Sequence, residues 1–302
     1  MRPEPTEPEQ LALTGLPEPL FAATPSRLLA FDCPRRYWFT YLARPAPPKG
    51  APWAHNTVGA VVHVALARWW QQPLRRRTPE AGADLVRRFW QSDGFADDNQ
   101  SAGWREQAAR WVQNYVADPR SGMSPESPPA GVERTVRVVT ERLAVSGRAD
   151  RIDRRPRPDS GPATGSPDEL VVVDYKSGRH PLRDRDAAES LALALYALAA
   201  AGTLHQHCRR VELHHLPTGD VLGFEHSDAS LQAHVARAES AADGIRDAER
   251  QLDAGLDSEQ AFRPAPGPSC TWCDYRRLCP AGQRASEYRP SWGGLGELTG
   301  EV

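Results

Sequence analysis

The chain has 302 residues, 40% of them hydrophobic and 8% aromatic, enough for one large domain or two small ones. Its 37 Lys and Arg nearly balance 39 Asp and Glu, giving a formal net charge of -2, so a nucleic-acid partner would have to meet a local basic patch. No apolar run reaches the length of about 18 residues that a membrane span needs, and MRPEPTEPEQ has no apolar signal core, so the expected setting is the cytoplasm with reduced thiols and no membrane partner.

Residues 1–23 are rich in Pro and Glu and read as a disordered tail. In TPSRLLAFDCPRRYWFTYL (24–42), Thr24 fits an N-cap and Pro25 the first turn of a short helix that runs on to Cys33-Pro34. A proline loop follows over 43–56. From Thr57, TVGAVVHVALARWWQQ predicts a long helix with Val58, Val61, Val62, Ala65 and Trp69 on one stripe. Two more helices are expected around 80–92 and 102–117. ERTVRVV (133–139) and ERLAVSGRADRID (141–153) read as an antiparallel hairpin, 156–168 as a surface loop, and ELVVVDYKSG as a buried strand over 169–176. The segment 187–202 is a helix apolar on most sides. Another hairpin, 209–226, turns at Pro-Thr-Gly-Asp, and 228–255 is a charged amphipathic helix. A cysteine-bearing loop ends the ordered part, 24–282, and 283–302 reads as a C-terminal tail. This order of elements predicts one mixed α/β domain.

Side chains two apart on a strand share a face, so Asp174 and Lys176 lie together with Tyr175 opposite. Alone, such a pair is a salt bridge at a strand end. VSGRADRID carries Asp150, with Gly147 nearby to admit a ligand close to the backbone. If this strand pairs with 169–176, Asp150 sits beside Asp174. Two carboxylates there repel and raise each other's pKa, and Mg²⁺ relieves the repulsion. Lys176 could then hold a metal-bound water or neutralise charge developing on a scissile phosphate. Asp153 and Glu133 compete with Asp150 for the same place. His63, within GAVVHVAL, reads first as a core histidine and, beside carboxylates, as a metal ligand.

Cys270, Cys273 and Cys279 form C-x2-C-x5-C, and Cys33 is the natural fourth thiol; such a set suits zinc or an iron–sulfur cluster, and would staple the two ends of the domain. Cys208 is the odd one out. Arg35 and Arg36, beside Tyr37 and Trp38, combine basic and aromatic groups suited to nucleic acid, and Arg148, Arg151 and Arg179 flank the proposed site.

Five segments in this order, SRLLAFDCPRRYWFTYL, VGAVVHVAL, VSGRADRID, VVVDYKSG and CTWCDYRRLCP, resemble motifs of the PD-(D/E)XK nuclease superfamily, in its RecB-family exonuclease-like branch with an iron–sulfur cluster. The resemblance spans roughly 24–282. It implies a restriction-endonuclease-like fold, a central mixed β-sheet flanked by helices, with the terminal segments stapled by a four-iron four-sulfur cluster on Cys33, Cys270, Cys273 and Cys279. It implies a Mg²⁺- or Mn²⁺-dependent deoxyribonuclease of single strands or ends, serving DNA repair, recombination or defence. Implied roles are metal ligation by His63, Asp150, Asp174 and the Tyr175 carbonyl, catalysis by Lys176 with these groups, a site glutamate at Glu133, and DNA contact by Arg35, Arg36, Arg148, Arg151 and Tyr196. The sequence departs from the family at Ala192, where relatives carry the glutamine of Q-x-x-x-Y, although Tyr196 is kept. No GxxxxGK[ST] loop is present, so unwinding would call for a helicase partner. The alternative is a catalytically weak DNA-binding or scaffold subunit of a helicase–nuclease complex.

Overall fold

Val171, Val172 and Val173 point alternately to opposite sides of a strand, so both of its faces need apolar cover. The computed structural model describes residues 19–156, 168–296 and 298. It sets this strand inside a six-stranded mixed sheet. The strands are β1 (Phe21–Ala23), β2 (Gly131–Val139), β3 (Leu143–Arg155), β4 (Glu169–Lys176), β5 (Cys208–His215) and β6 (Asp220–Glu225). Their order is β1-β3-β4-β5-β6, with β2 paired to β3 from the other side. β1 runs parallel to β3 and β4 parallel to β5, while β2 and β4 run antiparallel to β3 and β6 antiparallel to β5.

The helices α1 (Pro25–Ala30), α2 (Pro34–Tyr37), α3 (Ala54–Trp70), α4 (Pro79–Phe89) and α5 (Asp98–Ala117) precede the β2–β4 meander. Between β4 and β5 come α6 (Asp186–Glu189) and α7 (Leu191–Leu204), and α8 (Asp228–Asp253), α9 (Ser258–Ala261) and α10 (Pro280–Ala285) follow. Val171, Val173 and Tyr175 pack against Val62, Leu66 and Trp69 of α3 and against α4 and α5. Val172 and Ile152 pack on the opposite face against Leu193 and Ala197 of α7. The other side of α7 is also covered: Leu191 and Leu195 join β1, α1 and the Ala238–Ala242–Ile245 stripe of α8. A helix enclosed from two sides is apolar around most of its circumference, which is how its sequence reads.

The predicted hairpins, the central strand and the long helices are all present. Capping follows the sequence: Thr24, Ser190 and Ser227 accept from the backbone N–H groups of Arg27, Leu193 and Ser230. Two differences come from distant partners. α3 starts at Ala54, three residues before the expected Thr57, because the Ala54 N–H donates to the Ser291 carbonyl at 3.1 Å. Within the stretch expected as a C-terminal tail, Ser291 therefore supplies that carbonyl, and Leu295 packs on the α3–α5 core. Residues 21–23, expected within the N-terminal tail, form β1, with Phe21 N–H donating to Arg142 O at 2.9 Å. Residues 1–18 of that tail and 157–167 of the expected loop lie outside the described residues.

Candidate active site

β3 and β4 pair as far as Arg151↔Val173 and then part, while β4 continues along β5 to Lys176↔His215. The parting leaves the Tyr175 backbone groups that face β3 without a strand partner, and backbone groups must be satisfied. Asp150 Oδ2 accepts from the Tyr175 N–H at 3.0 Å. His63, from α3, places Nε2 3.1 Å from the Tyr175 carbonyl oxygen, which can only accept, so Nε2 carries a proton. Its Nδ1 lies 3.3 Å from Asp150 Oδ1. One imidazole thus joins the carbonyl and the carboxylate. Burial works against its charged form, but the hydrogen bond and charge of Asp150, the charge of Asp174 and the Tyr175 carbonyl prevail and raise the His63 pKa.

Glu133 reaches the same point from β2. The β2–β3 ladder passes from Val132↔Arg151 to Arg134↔Ala149, and Glu133 between them has φ +47°, left-handed backbone that is uncommon for glutamate. Ligand atoms of His63, Glu133 and Asp150 lie within 4.8 Å of one another. Burial raises the Glu133 pKa and the Asp150 charge adds to it, while Arg148, with Nε 2.7 Å from Glu133 Oε2, pulls the other way.

Asp174 stands next to this group without being part of it. Its Oδ2 lies 2.6 Å from Lys176 Nζ. Burial raises the Asp174 pKa, Lys176 opposes, and the Asp150 charge adds to the rise, so Asp150 and Asp174 do feel each other across the strand ends. The Lys176 side chain stays 47% exposed and borders a cleft of about 940 Å³, whose walls include His55, His63, Glu133, Arg148, Asp150 and Tyr196. Tyr196 comes from α7 and packs against Gly147: a Cβ there would meet Tyr196 Cε1 at 2.4 Å. The glycine read as an opening for ligand lines the cleft and also makes room for this ring.

Arg151 needs correcting. It is fully buried, on the sheet face opposite Asp150, as alternation demands. Its guanidinium donates to Ser121 O (2.7 Å), Asp153 Oδ2 (3.1 Å), Tyr115 Oη (3.2 Å) and Tyr175 Oη (3.3 Å), so it cannot touch DNA. Asp153, the competing carboxylate, belongs to this buried network. Arg35 and Arg36, expected to contact DNA, lie elsewhere. They border the cysteine cavity and not the cleft; Arg35 packs over the rings of Trp38 and Phe39, and Arg36 donates to Leu29 O. Arg148 does line the cleft and is 70% exposed.

Cys33, Cys270, Cys273 and Cys279 line one small cavity. The N–H groups of Gly267 and Gly282 point at Cys270 Sγ and Cys279 Sγ, both at 3.4 Å. Among the described residues no three cysteine sulfurs lie within 4.8 Å of one another, whereas a tetrahedral zinc would hold them about 3.8 Å apart. Cys208 lies apart in the core, its thiol pushed up to about 12 mainly by burial.

Sequence alone flagged the carboxylates, the lysine and the thiols. It gave no sign of the left-handed Glu133 or of the strand parting, since both depend on how neighbouring strands diverge.

The family model of the PD-(D/E)XK nuclease superfamily matches residues 22–280. No curated protein matches significantly. Among solved structures, the chain is similar to a candidate exonuclease from Eubacterium rectale at 11% identity and a TM-score of 0.45, over 78% of this chain and 82% of that one. With most of its length matched and a central mixed sheet flanked by helices, the chain belongs to the PD-(D/E)XK nuclease superfamily, and with it to the phosphodiester hydrolases.

Proposed function

We propose that the chain is a Mg²⁺- or Mn²⁺-dependent deoxyribonuclease of the RecB-family exonuclease type, acting on single strands or ends. The observation that carries this reading is the meeting of His63, Glu133, Asp150 and the Tyr175 backbone at the parting of β3 and β4, with Lys176 beside them. A donor set of two carboxylates, a carbonyl and one imidazole suits a hard divalent cation. The raised Glu133 and Asp174 fit the same view: both sit in buried, negatively charged surroundings that a cation would relieve.

His63, Glu133, Asp150 and the Tyr175 carbonyl would hold the ion. When bound, it would polarise the scissile phosphate and make an attacking water more acidic. Asp174 holds Lys176 in an ion pair at the rim of the cleft, from which the ammonium can meet negative charge growing on the phosphate. Burial, with the charges of Asp150 and Asp174, raises the Tyr196 pKa, so its hydroxyl remains a donor. Arg148 is exposed enough to bind a neighbouring backbone phosphate. The four clustered thiols, with two backbone N–H groups aimed at them, would hold a four-iron four-sulfur cluster.

Lys176→Ala tests the chemistry. Cleavage of end-labelled single-stranded DNA with Mg²⁺ or Mn²⁺ should fall by about 10²-fold or more, with DNA binding retained. Undiminished cleavage by this variant would remove the mechanism.

A further inference from the structure

The cleft does not end at the metal-ligand group. His55, on its wall, lies 5.3 Å from Trp272 and 6.0 Å from Trp53, ring centroid to centroid, and the two tryptophans meet edge-on at 5.2 Å. Trp272 belongs to the cysteine-bearing segment. Beyond it, Trp53 joins Arg276, Arg277, Tyr288 and Arg289 around a second groove of about 280 Å³. Among the described residues the one acidic group on that groove is Asp274, which accepts from Trp53 Nε1 at 3.2 Å and pairs with Lys49 at 3.9 Å.

The chemistry of this groove is unusual for a chain with a net charge of -2. Three arginines line it against one carboxylate among the described residues, and the donors of Arg276 and Arg277 go to carbonyl and hydroxyl oxygens, not to that carboxylate. Tyr288 is 78% exposed, a large aromatic surface left in water. The Arg289 guanidinium stacks 5.3 Å from the Trp272 ring centroid and makes no hydrogen bond or ion pair among the described residues, so its N–H groups are open. Cations with open donors bind phosphates, and exposed rings bind unstacked bases; a duplex keeps its bases stacked and could use only the cations.

We propose that a single-stranded nucleic acid seated in the cleft runs on over His55 and Trp272 into the groove of Trp53, Arg277, Tyr288 and Arg289. This track deepens the nuclease reading and rests on it. It gives the cysteine-bearing segment and the residues after it a part in holding substrate: the segment that carries three of the thiols also carries Trp272, Arg276 and Arg277.

The test is binding of fluorescein-labelled oligothymidylates by anisotropy, with Ca²⁺ in place of Mg²⁺, to the full chain and to Tyr288→Ala, Arg289→Ala and the double variant. Each substitution is at an exposed residue, so folding is preserved. The double variant should bind a strand of about 20 nucleotides at least about 10-fold more weakly, with a shallower salt dependence. Binding of a strand of about 4 nucleotides, which fills the cleft alone, should not change, nor should hydrolysis of bis-p-nitrophenyl phosphate with Mn²⁺. Equal affinity and equal salt slope for the long strand overturn the track and leave the nuclease reading standing. A wild type that binds the long strand through these residues but hydrolyses neither DNA nor the small diester overturns the nuclease reading and leaves the track. A wild type that binds no single strand overturns both, and a preference for an acidic peptide over oligothymidylate would reassign the groove to a protein partner.

Discussion

Asp150 accepts the N–H of Tyr175 at the point where β3 and β4 stop pairing, and so one carboxylate is both a backbone cap and a member of the candidate metal site. The two roles separate by mutation. Asp150→Asn keeps an acceptor for the N–H and loses the charge; Mn²⁺ binding by calorimetry should collapse while the melting temperature stays near that of the wild type. Asp150→Ala loses both, and the unpaired N–H should cost about 1–3 kcal/mol more. Identical melting temperatures for the two variants would show that the hydrogen bond does not support the fold.

Metal and pH should act together on stability. The His63 pKa is raised above 6.5, so the folded state favours its proton; that stabilisation is complete below 6.5 and is lost as pH climbs through the raised folded value. Glu133 and Asp174 are raised chiefly by burial, so ionising them also weakens the metal-free fold as pH rises past the usual carboxylate range. A cation reverses each of these effects. The gain in melting temperature on adding Mn²⁺ to chelator-treated protein should therefore be larger at about pH 8 than at about pH 5.5. A gain that shrinks with pH would contradict the assignment of the ligands.

Gly147 and Tyr196 form a pair that can be tested as one. Gly147→Ala puts a methyl group 2.4 Å from Tyr196 Cε1 and should destabilise by about 1–3 kcal/mol while slowing cleavage. Tyr196→Ala in that background removes the clash. The double-mutant cycle should show that the second change recovers stability lost in the first. Additive losses would mean that the two residues do not share this contact.

The cysteines make a separate prediction. Anaerobically purified protein should be brown and carry about four iron atoms per chain. Cys33→Ser lies far in sequence from the other three thiols, so it should lower both the iron content and the melting temperature. A colourless protein with one zinc per chain would overturn the cluster.

Several site residues were legible because strand chemistry is local. ELVVVDYK announces a strand buried on both faces that ends in charges, and its pairing with VSGRADRID, which stops at Arg151↔Val173, brings Asp150 and Asp174 together just past the end of the ladder. Arg151 was misread although the same alternation applies to it: the neighbour of a site residue on a strand faces away from the site. Arg35 and Arg36 are a different case. Basic residues among aromatics bind nucleic acid or pack around a core with equal ease, and only the path of the chain decides which; here α2 carries them to the thiols.

Composition and periodicity alone determined the mixed α/β architecture, the order of its elements and the kinds of side chain available for chemistry, since burial patterns repeat along the chain itself. Only the folded structure decided which of those side chains meet. It moved the start of α3 through a carbonyl more than 200 residues away and turned Glu133 inward on left-handed backbone. It also opened β3 from β4, so that Asp150 and His63 close on the Tyr175 backbone. Contacts of that kind depend on where separate strands diverge in space, and no local stretch of residues encodes that distance.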